Sequence, residues 1–101
     1  MVRHVILWTL RPEFQLEEKN RIKSDIKREL ESLKGQIPGL LEITVSIDNR
    51  LDSSNCDLML DCLLESQWAL KEYAVHPLHV HVANTYVRPY TSQRTCLDFE
   101  I

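Results

Sequence analysis

Tyr73, His76 and His79 place three side chains that can exchange protons close together in the sequence. A histidine ring has a pKa near 6.5, so at neutral pH it can take a proton from a carbon next to a carbonyl group. A tyrosine hydroxyl can donate a hydrogen bond to the carbonyl oxygen, where negative charge then develops. These residue types therefore suit acid–base chemistry on a small carbonyl compound.

Pro77 follows His76 directly and predicts a sharp corner at this point. Proline lacks an N–H and holds φ near the helical value, so it suits the first position of a helix. We therefore expect one helix to end near Tyr73 and a second to begin at Pro77, with His79 folded back over the first. His4, on the Trp8 side of the first strand, is expected to face the same space.

Three hypotheses fit these residues. In the first, Tyr73 packs with its hydroxyl bonded, His76 caps a helix and His79 bonds the backbone. In the second, His4 and His76 help to bind a ligand without catalysis. In the third, Tyr73 and His79 are catalytic residues of an enzyme. The sequence leaves open which of the three holds.

Composition limits the class of protein. The chain has 101 residues, 44% hydrophobic and 27% charged, which is typical of one globular domain over residues 1–101. A net charge of −3 gives no reason to expect nucleic acid as a partner. The early apolar run, residues 5–10, is too short for a signal sequence or a membrane span, so we expect a cytoplasmic protein without a membrane partner.

The three cysteines are consistent with a reducing compartment. Cys56 and Cys62 are expected in one strand, where six residues separate them by about 20 Å. A disulfide needs Cα atoms within roughly 7 Å, so this pair cannot close. We expect Cys96 to be reduced as well.

Hydrophobic periodicity predicts seven elements, in the order β-α-β-β-α-(α)-β. The predicted elements are residues 2–10, 16–34, 41–47, 56–64, 67–73, 77–87 and 94–101. This order is the split βαβ arrangement of ferredoxin-like α+β folds. Helices can cover only one face of such a sheet, yet apolar side chains also fall on the other face; they are Val5, Leu7, Met59 and Leu63. We therefore expect a homodimer built through the sheet faces.

Several stretches resemble the stress-responsive α/β-barrel family, also called Dabb domains. They are residues 2–8, 37–40 and 54–58, then Tyr73-x-x-His76-Pro77-x-His79-Val80 and Val87-Arg88-Pro89. The resemblance spans essentially the whole chain in the right order. It implies a ferredoxin-like protomer with an antiparallel four-stranded sheet that pairs into a dimeric α/β barrel. Plant members are linked to stress responses, and most members have no assigned chemistry.

A few members cyclise polyketides by aldol condensation, and their working tyrosine and histidine match Tyr73 and His79. A histidine on their first strand matches His4. Leu58 stands where these cyclases have another histidine, and the long helix here lacks their tyrosine. If the chain is an enzyme, the resemblance implies lyase- or cyclase-like acid–base chemistry.

Two kinds of metal site can be considered, one held by histidines and one held by backbone carbonyls. His79 and His81 are two residues apart on a helix and point about 200° away from each other, so they cannot grip one ion together. The resemblance implies no organic cofactor. Some family members bind magnesium at the end of the long helix. The matching backbone carbonyls are those of Lys34, Ile37 and Leu40, where a helix leaves carbonyls unpaired.

Overall fold

The computed structural model describes residues 1–101. Its strands and helices are β1 (Val2–Leu10), α1 (Leu16–Glu31), β2 (Leu40–Ser46), β3 (Leu58–Leu64), α2 (Gln67–Val75), α3 (Pro77–Val82) and β4 (Thr91–Glu100). The strands form one antiparallel sheet in the order β2-β3-β1-β4. The predicted ferredoxin-like α+β fold is therefore confirmed.

The core lies between one face of this sheet and the helices. Side chains alternate along β1 and β3 with a period of two, and in β3 every even-numbered residue from Leu58 to Leu64 is buried. The apolar stripe of α1, Ile22, Ile26 and Leu30, packs on that face. No helix is both long enough and apolar enough to cross a membrane.

The opposite sheet face exposes apolar side chains. Leu7, Leu97 and Phe99 are 36%, 63% and 41% exposed. Leu7 alternates with the buried residues of β1, and Leu97 and Phe99 of β4 pair with Val5 and Arg3 on the same face of β1. The predicted members Val5, in β1, and Met59 and Leu63, in β3, are half-buried. We call this surface, made by all six residues, the open sheet face.

Several element ends differ from the sequence prediction. Helix α1 ends at Glu31 and not at residue 34, because tighter turns follow in which the Lys34 N–H bonds to the Glu31 carbonyl at 3.3 Å. Strand β3 begins at Leu58 and not at residue 56. The reason lies in Asp57, whose N–H donates to the Trp8 carbonyl while its carboxylate accepts from the Leu10 N–H, both at 2.8 Å.

The segment after α3 also departs from the predicted single helix over residues 77–87. Its regular part ends at Val82, a π-helical turn follows over Ala83–Val87, and a 3₁₀ turn over Arg88–Tyr90 leads into β4. The π turn holds one more residue than an α turn, and both its ends, Ala83 and Val87, are buried. Strand β4 then begins at Thr91, three residues earlier than predicted.

The corner between α2 and α3 forms as the sequence predicts. His76 leaves the helical region with φ −63° and ψ 132°, and its Nδ1 accepts a hydrogen bond from the Leu78 N–H at 3.2 Å. Pro77 is the first residue of α3. At the other end of α2, the Ser66 hydroxyl accepts from the Ala69 N–H. Both helix starts are therefore capped by side chains.

Gly39 fixes how closely α2 approaches the turn before β2. Its φ is +82°, and a Cβ added there would lie 2.6 Å from the Cβ of Ala69. Gly35 has the same φ, but a Cβ there would meet nothing within 4 Å. The two glycines share a backbone requirement, and only Gly39 adds a packing requirement.

We therefore expect Gly39→Ala to destabilise the protein more than Gly35→Ala. Both changes should cost about 1 kcal/mol for a left-handed alanine, and Gly39→Ala should lose roughly 1–3 kcal/mol more because α2 is pushed outward. Denaturant unfolding of both variants measures the difference. Equal losses would show that the close approach of α2 contributes nothing to stability.

Candidate functional site

A cavity of about 110 Å³ lies between the sheet and the helices and receives side chains from every layer. Its fourteen lining residues are His4, Ile6, Trp8, Leu30, Leu60, Leu70, Tyr73, Ala74, His79, Ala83, Val87, Arg88, Thr91 and Arg94. Nine of them are hydrophobic, so the few polar groups stand out in an apolar space. The structure brings His4, Tyr73 and His79 together here, as the sequence predicted.

Tyr73 is the polar centre of the cavity. Its side chain is 1% exposed, yet the hydroxyl makes no hydrogen bond of normal geometry. Burial raises the pKa of this phenol far above 10, and the neighbouring Cys62 raises it further. The Cys62 thiol is itself buried, which raises its pKa to about 12, and a protonated thiol is a weak hydrogen-bond partner. The Tyr73 hydroxyl is therefore a protonated donor without a strong acceptor.

His79 lies against Tyr73, with ring centroids 4.3 Å apart and the planes tilted by 39°. Its Nδ1 lies 3.1 Å from the Ala74 carbonyl oxygen. A carbonyl only accepts, so Nδ1 carries the hydrogen and Nε2 keeps its lone pair. Burial lowers the pKa of His79, and the positive charges of Arg88 and Arg94 lower it further. The ring is therefore held neutral at pH 7 as a base.

His4 stands on the other side of Tyr73. It is 6% exposed, and its ring meets the tyrosine ring edge to face at 6.0 Å. Its Nδ1 bonds the carboxylate of Asp98, and the sulfur of Cys96 lies 3.7 Å from the same nitrogen. The carboxylate fixes the orientation of the imidazole and orients its other nitrogen away from Asp98.

Sequence reasoning missed Asp98, Cys96, Arg88 and Arg94. Antiparallel pairing of β4 with β1 places Asp98 opposite His4, Cys96 opposite Ile6 and Arg94 opposite Trp8. The sequence does predict the last strand from its alternating polar and apolar residues. The register of β4 against β1 places the polar side of β4 next to His4. This register depends on tertiary pairing, so the sequence alone does not predict it.

His76 does not reach the cavity. It lies half-buried on a separate open groove beside Trp68 and Glu72, and its Nδ1 is occupied by the helix cap. The structure therefore gives His76 the capping role that was one of the sequence hypotheses. If His76 binds a ligand, as predicted, that ligand would lie in this groove and not in the cavity.

Two groups of atoms are candidates for a metal ion. His4, Cys96 and Asp98 offer three ligand atoms within 4.8 Å of one another. Each of these atoms already has a partner among the other two, and the charge of Arg94 acts on Cys96. We therefore assign this trio to the positioning of His4.

The magnesium set implied by the family resemblance lies elsewhere, after α1. The Ile37 carbonyl accepts a hydrogen bond from the Leu40 N–H at 3.2 Å, within the turn that holds both residues. One of the three predicted carbonyls, which include that of Lys34, is thus already engaged in a turn, and its second lone pair remains. A magnesium site at this turn stays a prediction.

Comparisons with known proteins add the family and the fold. The profile of the stress responsive A/B barrel domain, Dabb, matches residues 2–101. No curated protein sequence matches the chain. A dimeric protein of unknown function with a ferredoxin-like fold from Bacteroides fragilis NCTC 9343 is similar at 27% identity and a TM-score of 0.91, covering 99% of this chain and 95% of that chain.

Two further solved structures share the fold at lower identity. A Dabb family protein from Mesorhizobium loti MAFF303099 is 20% identical with a TM-score of 0.74, covering 99% of this chain and 95% of that one. The hydroxynitrile lyase from Passiflora edulis is 14% identical with a TM-score of 0.73, covering 99% and 92%. At these identities the likeness shows the fold alone.

The profile match extends over almost the whole chain, and a Dabb family protein is among the solved structures that share its fold. The chain therefore belongs to the Dabb family of stress responsive A/B barrel domains.

Proposed function

We propose that this Dabb domain binds a small molecule in the cavity through a carbonyl or phenolic oxygen. One observation carries the proposal: the Tyr73 hydroxyl is buried and makes no hydrogen bond of normal geometry, with only the weakly accepting Cys62 thiol beside it. A buried polar group without a partner costs about 1–3 kcal/mol. A ligand oxygen that accepts from this hydroxyl would recover much of that cost, which explains why such a group is kept in the core.

The surroundings support a ligand better than a purely structural role. A filled core would pack side chains against Tyr73, whereas here a space of about 110 Å³ adjoins it. The walls are mostly apolar and the polar groups converge from several elements, among them β1, α2, α3 and β4, which is typical of small-molecule sites. A role in stress responses and a cytoplasmic location belong to the same proposal, supported by family membership and by three free cysteines.

Acid–base catalysis is a second candidate, favoured by the pairing of Tyr73 with His79. The free Nε2 of a neutral His79 could take a proton from carbon beside a carbonyl group, while Tyr73 donates to the carbonyl oxygen. The ring separation of 4.3 Å allows one small substrate to reach both groups. A protein of the same fold is named a hydroxynitrile lyase, which supports lyase- or cyclase-like chemistry as a use of this fold.

We further propose that two copies pair through the open sheet face. Its exposed Leu7, Leu97 and Phe99 form an apolar surface of the kind that marks a partner site. The similar protein from Bacteroides fragilis is described as dimeric. The cavity lies on the other side of the sheet, so pairing would leave it accessible.

Binding is tested with acetone and phenol as carbonyl and phenolic probes and the Tyr73→Phe variant. We expect the amide signals of Tyr73 and His79 to shift in NMR titrations, and Tyr73→Phe to lose about fivefold in affinity, the scale of one neutral hydrogen bond. Its stability should stay level or rise slightly, because the hydroxyl has no partner to lose. Tyr90→Phe, outside the cavity, is the matched control. If neither probe shifts these signals, the first of the three sequence hypotheses is favoured, in which Tyr73, His76 and His79 are structural residues of a dimer that binds no ligand.

The lowered pKa of His79 predicts a pH dependence of stability. Below about pH 6.5 the unfolded chain protonates this histidine while the folded chain resists it, so stability falls as the pH falls from there to the folded pKa. His79→Gln should remove this part of the dependence, and His81→Gln, at an exposed site, should leave it. Urea unfolding at about pH 7.5 and about pH 5 measures it. Identical pH slopes in parent and His79→Gln would contradict a neutral, half-buried ring.

The open sheet face is tested by Leu7→Glu. A charge buried in an apolar interface is costly, so we expect the parent to be a dimer and this variant a monomer in light scattering at low concentration. Leu51→Glu, in an exposed loop, is the control and should stay dimeric. Equal dimeric masses for Leu7→Glu and the parent would place the interface elsewhere.

A further inference from the structure

The charged residues of the cavity lining are all positive. Arg88 and Arg94 belong to the lining, and none of its fourteen residues is an aspartate or a glutamate. Asp98 lies outside the lining and bonds His4. The cavity therefore offers two permanent positive charges that no lining carboxylate neutralises.

Neither of these arginines has an ion-pair partner. Four other arginines lie within 4.0 Å of a carboxylate; they are Arg3, Arg21, Arg28 and Arg50. Arg88 bonds only the side-chain amide oxygen of Asn84, a neutral group. A guanidinium carries five N–H donors in a planar fork that matches a carboxylate. Both cavity arginines thus keep donors free for an anion.

Burial orders the polar groups from the surface inward. Arg88 and Arg94 are exposed, whereas Tyr73 and His4 are buried, so the cationic groups lie at the opening of the cavity and the phenol at its inner end. The charges of both arginines act on His79 between these ends. A ligand that satisfies all of them carries both an anionic group and a hydrogen-bond acceptor.

The volume sets the length of that ligand. A cavity of about 150 Å³ holds benzene, and this one measures about 110 Å³. The remaining lining is mostly apolar and suits a short hydrocarbon segment. A chain of a few carbons fits this space, while an extended polyketide does not.

We propose that the cavity selects a short-chain oxo acid, whose carboxylate binds Arg94 and Arg88 and whose carbonyl oxygen accepts from Tyr73. This rests on the proposed function and narrows its ligand to an anionic class. The carboxylate would make charge-assisted hydrogen bonds, which are about twice as strong as neutral ones.

The test compares pyruvate with acetone, which keeps the ketone and the methyl group but lacks the carboxylate. NMR titrations of the full chain give both affinities. We expect pyruvate to bind at least about tenfold more tightly than acetone, the scale of one charge-assisted hydrogen bond. Arg94→Gln should remove most of that advantage, and Arg94→Lys should restore part of it.

Arg11→Gln is the control for net charge. Arg11 is an exposed arginine outside the cavity and without an ion pair, so its replacement changes the total charge equally and should alter neither affinity. Thermal unfolding checks that each variant is folded. Arg11 and Arg94 are both exposed, so we expect their substitution to be tolerated.

The outcomes separate this inference from the proposed function. Equal affinities for pyruvate and acetone, or a pyruvate affinity that Arg94→Gln does not lower, would overturn the oxo-acid inference while acetone binding upholds the cavity. A loss of pyruvate affinity in Arg11→Gln as large as in Arg94→Gln would also overturn it, since the effect would then be net charge. If neither probe binds, both proposals fail.

Discussion

The pairing of β1 with β3 on one side and β4 on the other is the constraint on which the site depends. Each antiparallel partner alternates its side chains with those of β1, so the residues opposite one position face the same side of the sheet. His4 therefore shares its side with Cys62 and Asp98. A slip of one residue in either pairing would turn one of them to the open sheet face. The polar cluster therefore forms only in this register of the sheet.

The corner between α2 and α3 places further polar residues of the cavity. Pro77 starts α3 where α2 has just ended, and the fold brings the His79 ring against Tyr73 from the preceding helix. The close approach at Gly39 holds α2 near the turn before β2, and α2 carries Tyr73. Two local backbone devices therefore control the position of one phenol, and each is remote from the open sheet face that we assign to pairing.

The cavity combines features that cost stability and that a binding site would use. An unpartnered hydroxyl, a neutral imidazole and an empty volume each make a core less stable. Here all three occur beside one another, while the rest of the core is apolar and well packed. Their concentration in one place is the physical reason to assign function to this cavity and not to the groove beside His76. Members of this fold differ in what they do, so the chemistry has to be argued from the cavity itself.

The sequence by itself determined the order of the elements, the buried faces of β1 and β3, and the corner at Pro77, because periods of 2 and 3.6 and the geometry of proline are local properties. It also indicated that His4, Tyr73 and His79 share a space. Only the tertiary structure decided that Asp98 orients His4, that Arg88 and Arg94 border the cavity, and that His76 faces away from it. Those facts depend on the register of β4 against β1 and on the π turn after α3, which are settled by packing between distant segments. Element ends such as Glu31 and Leu58 depended on hydrogen bonds with neighbouring turns and strands, so periodicity could not locate them.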